Sequence, residues 1–313
     1  MKTILITGSN GLLGQKLIYA LLERNRNGAA WNIVATARGE NRLKEKNGYR
    51  YEPMDITNQG EIETVFHRFV PNVVINTAAM TNVDACETKR DEATLLNALS
   101  VKFMTDAIAE LAKKSPGLHT HFIHLSTDFI FDGESGPYTE GDQPNPLSHY
   151  AVTKLAGEEY VRASKVQWSI IRTIIVYGIA DEMSRSNLVL WAKGALEKGQ
   201  IINVVDDQFR SPTLAEDLAE GCLLCAEKTA GGIFHVSGEK TYSVLELVQR
   251  VADFWKLDKS LINPVKSETI NQPAKRPPRT GFIIDKAKTI LGYKPHTFEE
   301  GLAVLDAQLK SNR

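Results

Sequence analysis

The stretch Met1-Lys2-Thr3-Ile4-Leu5-Ile6-Thr7-Gly8-Ser9-Asn10-Gly11-Leu12-Leu13-Gly14 decides the fold. Its apolar run is too short for a signal peptide and passes straight into a glycine loop, so it reads as a buried strand. The glycines follow at G-x-x-G-x-x-G spacing, and a helical pattern opens at once. Glycines between a strand and a helix permit a tight turn and let backbone N–H groups approach a pyrophosphate at the helix N-terminus. Gly8, Asn10, Gly11, Leu12, Leu13 and Gly14 are therefore expected to hold a dinucleotide.

Outward from the loop, short Val/Ile-rich runs alternate with longer amphipathic segments, the pattern of a parallel sheet covered by helices. Strands are expected at 2–7, 31–37, 49–54, 72–77, 119–126, 168–176 and 232–236, and helices at about 11–26, 58–70, 88–114 and 148–164. Beyond residue 178 the loops lengthen, with one further strand at 201–205. Capping-box spacings at Thr213…Glu216, Ser243…Glu246 and Thr297…Glu300 mark three helix starts there. The fold class is α/β, a doubly wound, Rossmann-like parallel sheet over 1–178 to which 213–237 returns. A smaller C-terminal α/β substrate domain is expected from 179–212 and 238–313.

Composition agrees with a globular enzyme. Of 313 residues, 42% are hydrophobic and 24% charged, ordinary usage that excludes a disordered tail, a collagen-like repeat or a disulfide scaffold. A net charge of −1 gives no reason to expect nucleic acid or an anionic membrane. No apolar run reaches the roughly 18 residues that span a bilayer. Three cysteines without an export signal point to a reducing cytoplasm. Cys222 and Cys225 form a C-x-x-C, but among leucines inside an expected helix, where core thiols are the reading. His119, His121 and His124 have no carboxylate or thiol at ligand spacing, so no metal site is expected.

The second strand ends Ala35-Thr36-Ala37-Arg38. An acidic residue there would hold the ribose 2′-hydroxyl of NAD, whereas arginine suits a 2′-phosphate, so Arg38 favours NADP(H). Glu40 nearby keeps NAD(H) open. Asp55 and Ile56 would flank the adenine, and Thr77, Ala78 and Ala79 are small enough for the cofactor to lie close. Ordinary strand-end packing explains these two segments equally well.

Tyr150 and Lys154 are four apart on an expected helix and project from one face. Ser126-Thr127-Asp128 ends the fifth strand, at the carboxyl edge where open parallel sheets bind ligands. This trio suits hydride chemistry at a carbonyl: Tyr150 gives a proton to the oxygen, Thr127 hydrogen-bonds it, and Lys154 holds the nicotinamide ribose. A lysine ammonium and a cationic nicotinamide would lower the tyrosine pKa from about 10.

Together, T-G-x-x-G-x-x-G, the strand-end Ser-Thr and Y-x-x-x-K resemble the extended short-chain dehydrogenase/reductase superfamily. Leu125–Gly133, Gly136-Pro137-Tyr138, Pro144-Asn145-Pro146-Leu147 and Lys154–Glu158 narrow the likeness to dTDP-4-dehydrorhamnose reductases. Val83–Glu87, Val204–Gln208 and Ser211-Pro212-Thr213 are similar to the same family. The resemblance implies reduction of the C4 keto group of a nucleotide-activated 4-keto-6-deoxy sugar, with Thr127, Tyr150 and Lys154 as the catalytic residues. It also implies Asp128 at the active-site mouth, Asn187 on the substrate side, and Arg276 or Arg279 of Lys275-Arg276-Pro277-Pro278-Arg279 on the substrate diphosphate. A solvated loop is the plain alternative for that basic run. A homodimer is the common state of the superfamily.

Three features depart from the family. Ile174-Ile175 replaces its usual Ser-Trp, Arg210 stands where glycine is usual, and 179–186 is longer. A 4,6-dehydratase would need an Asp-Glu pair where this chain has Asp128-Phe129, which argues against dehydration. Another nucleotide-sugar epimerase or reductase is a neighbouring alternative. A rival from another class is a non-catalytic, NADP-binding regulatory subunit resembling the β subunit of methionine adenosyltransferase, which also lacks the tryptophan.

Overall fold

A computed structural model describes residues 1–115, 117–183 and 186–311. The strands are β1 Lys2–Thr7, β2 Trp31–Ala37, β3 Arg50–Pro53, β4 Val73–Asn76, β5 His121–Thr127, β6 Gln167–Thr173 and β7 Val176–Tyr177. They continue as β8 Ile202–Val205, β9 Phe209–Arg210, β10 Thr213–Leu214, β11 Gly232–His235, β12 Tyr242–Ser243 and β13 Ile262–Val265. The helices are α1 Leu12–Arg26, α2 Gln59–Phe69, α3 Val83–Thr88, α4 Arg90–Thr94 and α5 Ser100–Lys114. After them come α6 His149–Ala163, α7 Leu188–Glu197, α8 Ala215–Lys228, α9 Val244–Trp255 and α10 Phe298–Ser311.

Seven parallel strands form one sheet in the order β11-β6-β5-β4-β1-β2-β3. The order reverses at β1, which pairs with β2 on one side and β4 on the other, and a crevice opens there beyond the carboxyl ends. Alternation sends Ile4 and Ile6 to one face, against Leu17, Ile18 and Leu21 of α1 and Leu218 and Cys222 of α8. Leu5 and Val34 point the other way, onto Ile62 and Phe66 of α2 and Met104 and Ile108 of α5. Both faces are thus covered, which is why the strands read as nearly continuous apolar runs. A second cluster joins Val189 and Leu196 of α7, Leu247 and Val251 of α9, and Leu302 and Leu305 of α10. Phe282, Ile284, Leu291 and Tyr293, from the 238–313 stretch, pack instead into the core of the sheet.

Three expected elements are corrected. The apolar run 168–176 is not one strand: β6 stops at Thr173, Ile175 turns at φ 30°, and β7 leaves the sheet to pair with β10. Periodicity cannot find a break inside a continuously apolar run. Thr213 caps no helix. It lies in β10, its hydroxyl donates to the Ile174 carbonyl at 2.7 Å, and α8 begins without a side-chain cap. The reciprocal bonds of Ser243–Glu246 and Thr297–Glu300 do form. Finally, 88–114 is interrupted. A π-helical turn at Leu95–Leu99 swings Asn97 inward, where its amide donates to the Met80 carbonyl (3.0 Å) and the Thr153 hydroxyl (3.2 Å).

Candidate active site

A cleft of about 600 Å³ lies over the carboxyl ends of the sheet. Gly11–Gly14, Thr77 and Ala79 line one side, Thr127, Tyr150 and Lys154 the floor, and Asp128, Gln208, Arg210 and Arg276 the far side.

The glycine loop is tight for a physical reason. Gly8 holds φ +68°, and a Cβ there would meet the Ala78 backbone at 2.8 Å. A Cβ on Gly14 would meet Ser9 Cα at 2.6 Å. Gly11 opens α1, whose first turn carries neither a capping side chain nor an acid, leaving N–H groups directed at the cleft. The Asn10 amide donates to the Glu40 carbonyl (2.8 Å), and its oxygen accepts from Arg42 N (3.0 Å), fixing the turn after β2 beside the loop. Exposed Arg38 stands 3.9 Å from Asp55, which also accepts two bonds from Thr57. The Ile56 side chain is in the core, and Ala78 backs Gly8. Thr77 donates to the Thr7 carbonyl at 2.6 Å. Buried Ser126 lines the cleft with a hydroxyl that has no protein partner. A cradle that a Cβ would fill, an uncapped helix start and an orphaned hydroxyl together fit a dinucleotide.

Ser148 caps α6 by accepting from Ala151 N (3.3 Å), so Tyr150 falls in the first turn and Lys154 one turn on, both buried. Lys154 donates to the Leu125 carbonyl at 2.6 Å. Burial pulls its pKa down to about 8, against the pull of Glu158. Glu158 in turn forms a solvent-free pair with Arg172, at 2.9 and 2.8 Å. The Tyr150 phenol is pushed up from its ordinary value by burial and the Asp128 and Cys86 charges, with the Thr127 hydrogen bond opposing. The lowering expected from a nearby lysine is outweighed here: Tyr150 is a neutral phenol at neutral pH, the form that gives a proton away.

Thr127 donates to Asp128 at 3.1 Å, and the other Asp128 oxygen accepts from Thr280. Burial raises the Asp128 pKa, while Arg210, Thr280 and Thr127 oppose the rise. Of the two candidate arginines, Arg276 lines the cleft and Arg279 does not: its guanidinium stacks on the Phe209 ring at 4.1 Å. Asn187 is spent locally, capping α7 at Leu190 N (3.2 Å) and donating to the Gly178 carbonyl (2.7 Å), and is not among the cleft residues. Sequence reasoning missed Thr280, 152 positions from its partner, and gave Arg210 no role. Gln208 carried a signal within Val204–Gln208 but no assignment. Cys222 and Cys225 are buried in α8 with raised pKa values, Cys225 to about 11.

The family model described as RmlD substrate binding domain matches residues 1–310. The fold is similar to a dTDP-4-dehydrorhamnose reductase of Clostridium acetobutylicum, 30% identical, covering 98% of this chain and 99% of that one at a TM-score of 0.80. It is also similar to a dTDP-4-dehydrorhamnose reductase of Bacillus anthracis in complex with NADP, 25% identical over 98% and 100% of the chains, TM-score 0.80. Methionine adenosyltransferase 2 subunit beta of Bos taurus is 28% identical over 294 residues, 92% of this chain and 82% of that one. The chain belongs to the RmlD family of extended short-chain dehydrogenase/reductases, nicotinamide-dependent oxidoreductases of nucleotide sugars.

Proposed function

We propose that the protein reduces the C4 keto group of a dTDP-4-keto-6-deoxy sugar, forming dTDP-L-rhamnose, with NADPH preferred. The observation that carries this reading is the meeting of Thr127, Tyr150 and Lys154 in one cleft with the open start of α1. NADPH held along Gly8–Gly14 would supply the hydride. Tyr150 gives its proton to the ketone oxygen, and Thr127, turning from Asp128, hydrogen-bonds the same oxygen. Lys154 would orient the ribose, and Arg38 the 2′-phosphate. Arg276, already held toward the cleft, supplies charge for the diphosphate. Arg279 and Asn187 are committed elsewhere.

The relationship to methionine adenosyltransferase β subunits supports a second reading, a regulatory subunit that binds NADP without turnover. One assay separates the two. Purified protein is mixed with NADPH, dTDP-4-keto-6-deoxyglucose and the 3,5-epimerase, and nicotinamide absorbance is followed. Turnover that falls about 10²–10⁴-fold in Tyr150→Phe establishes the reductase. Intact NADPH binding without oxidation rejects it, and co-purification with a methionine adenosyltransferase catalytic subunit would establish the second.

A further inference from the structure

Asp128 has a use in this cleft beyond touching a sugar, and the inference rests on the reductase reading. Its carboxyl is 3% exposed, yet it is bonded on both oxygens: Thr127 at Oδ1 (3.1 Å) and Thr280 at Oδ2. Thr127 is also hydrogen-bonded to Tyr150, so an unbroken hydroxyl path joins the carboxyl to the phenol. Lys154, the other group beside Tyr150, has its ammonium on the Leu125 carbonyl.

The one ion pair Asp128 makes among the described residues is with Arg210, Nε to Oδ2 at 3.9 Å. Arg210 is itself 3% exposed and anchored by its terminal nitrogens to the carbonyls of Phe209 (2.7 Å), Pro277 (2.7 Å) and Pro278 (3.2 Å). Those prolines precede Thr280, so one guanidinium fixes both the counter-charge and the turn that carries the second donor. Arg210 also lies over Phe129 at 5.6 Å, and Phe129 packs edge-to-face on Tyr150 at 5.9 Å. The other titratable groups of this wall are Lys154 on α6, Cys86 and Asp84 on α3, and Arg276.

We propose that Asp128, balanced by Arg210, stores the proton that refills Tyr150 through Thr127 after each reduction. When the Tyr150 O–H bond breaks and its proton goes to the ketone oxygen, a phenolate remains. The Thr127 hydroxyl proton moves to that phenolate as the Asp128 carboxyl proton moves to Thr127. A carboxylate is left facing Arg210, and a solvent proton restores it when product leaves. A carboxylic acid is a far stronger acid than a phenol, so the transfer runs downhill. Arg210 makes the charged half of the cycle tolerable in a buried place. It stands where the family usually has glycine, so the device is a feature of this chain.

The store acts after the first proton transfer, and this separates it from a structural role. Protein loaded with NADPH is mixed rapidly with dTDP-4-keto-6-deoxy-L-mannose made in place. In Asp128→Asn the first turnover stays within about threefold of the parent, whereas steady-state turnover falls at least tenfold and recovers with added imidazole, a small diffusible acid. Arg210→Met slows the steady state in the same way, and Arg210→Lys retains it. Equal loss in both phases, or in neither, overturns the proposal. A readout needing no sugar is the infrared carboxylic-acid band of the free protein at pH 7, assigned by its loss in Asp128→Asn. Its absence from the parent overturns the store even if Asp128→Asn misfolds. The band without any sugar turnover rejects the sugar assignment and sustains the store.

Discussion

Arg276 grips Asp84 with both terminal nitrogens, Nη1 to Oδ1 at 3.1 Å and Nη2 to Oδ2 at 2.7 Å. The pair joins α3 to the segment before Thr280 and aims a guanidinium into the cleft, and Arg276 holds the Asp84 carboxyl below its usual range. Charged hydrogen bonds of this kind are worth about 1.5–3 kcal/mol each. Arg276→Ala should therefore raise KM for the nucleotide sugar about 10–100-fold with kcat little changed. Asp84→Asn, which keeps Arg276 but loosens its aim, should raise KM less. Steady-state kinetics on both variants check the order, and a kcat loss in place of a KM rise would contradict it.

Lys154 should leave a mark on stability against pH. Its folded pKa of about 8 lies below the unfolded value near 10.4. Between those values the unfolded chain binds the extra proton, so stability rises with pH, by at most about 1.4 kcal/mol per unit. Above about pH 10 the buried tyrosines, whose pKa values are raised, work in the opposite direction. Urea melts of the parent minus Lys154→Met should show the rise between about pH 8 and 10. A flat difference would place the ammonium in water.

The glycines of the first loop should separate folding from binding. Gly14→Ala drives a methyl into the Ser9 backbone and should cost about 1–3 kcal/mol of stability along with cofactor affinity. At Gly11 a Cβ meets only the Gly8 carbonyl, at 3.2 Å, so Gly11→Ala should melt near the parent yet bind NADPH poorly. Thermal melts and a fluorescence titration of NADPH test the pair. Tight binding by Gly11→Ala would move the pyrophosphate elsewhere.

Arg38 has a single ion-pair contact, the 3.9 Å approach to Asp55, and is mostly exposed. Arg38→Ala should weaken NADPH about 10-fold or more and NADH hardly at all, reversing the cofactor preference with little change in melting. Parallel titrations with the two nucleotides read it directly. Equal losses for both would remove Arg38 from the 2′-phosphate.

Legibility followed the range of each interaction. The first loop, the parallel strands and the Tyr150–Lys154 helix face were readable because spacing of 3.6 and 2.0 is a local property. The end of β6 was not, since Ile174 and Ile175 are as apolar as the strand before them and only the pairing of Val176 with Thr213 shows the turn. The same pairing took Thr213 away from its expected cap. Arg276 and Arg279 look equivalent in a basic run, and what divides them is Asp84 on one side and Phe209 on the other. Thr280 and Arg210 acquire meaning only when distant segments close around Asp128.

The buried Glu158–Arg172 pair ties the helix carrying Tyr150 and Lys154 to β6 by two side chains that face no ligand. The spacing between helix and sheet is set there, independently of anything on the far wall of the cleft. The far wall is built from loop residues such as Gln208 and Arg276, which can be exchanged without disturbing that spacing. A lineage with this architecture is free to change diet while keeping its tools: the sugar it accepts can drift, and the way it reduces stays put.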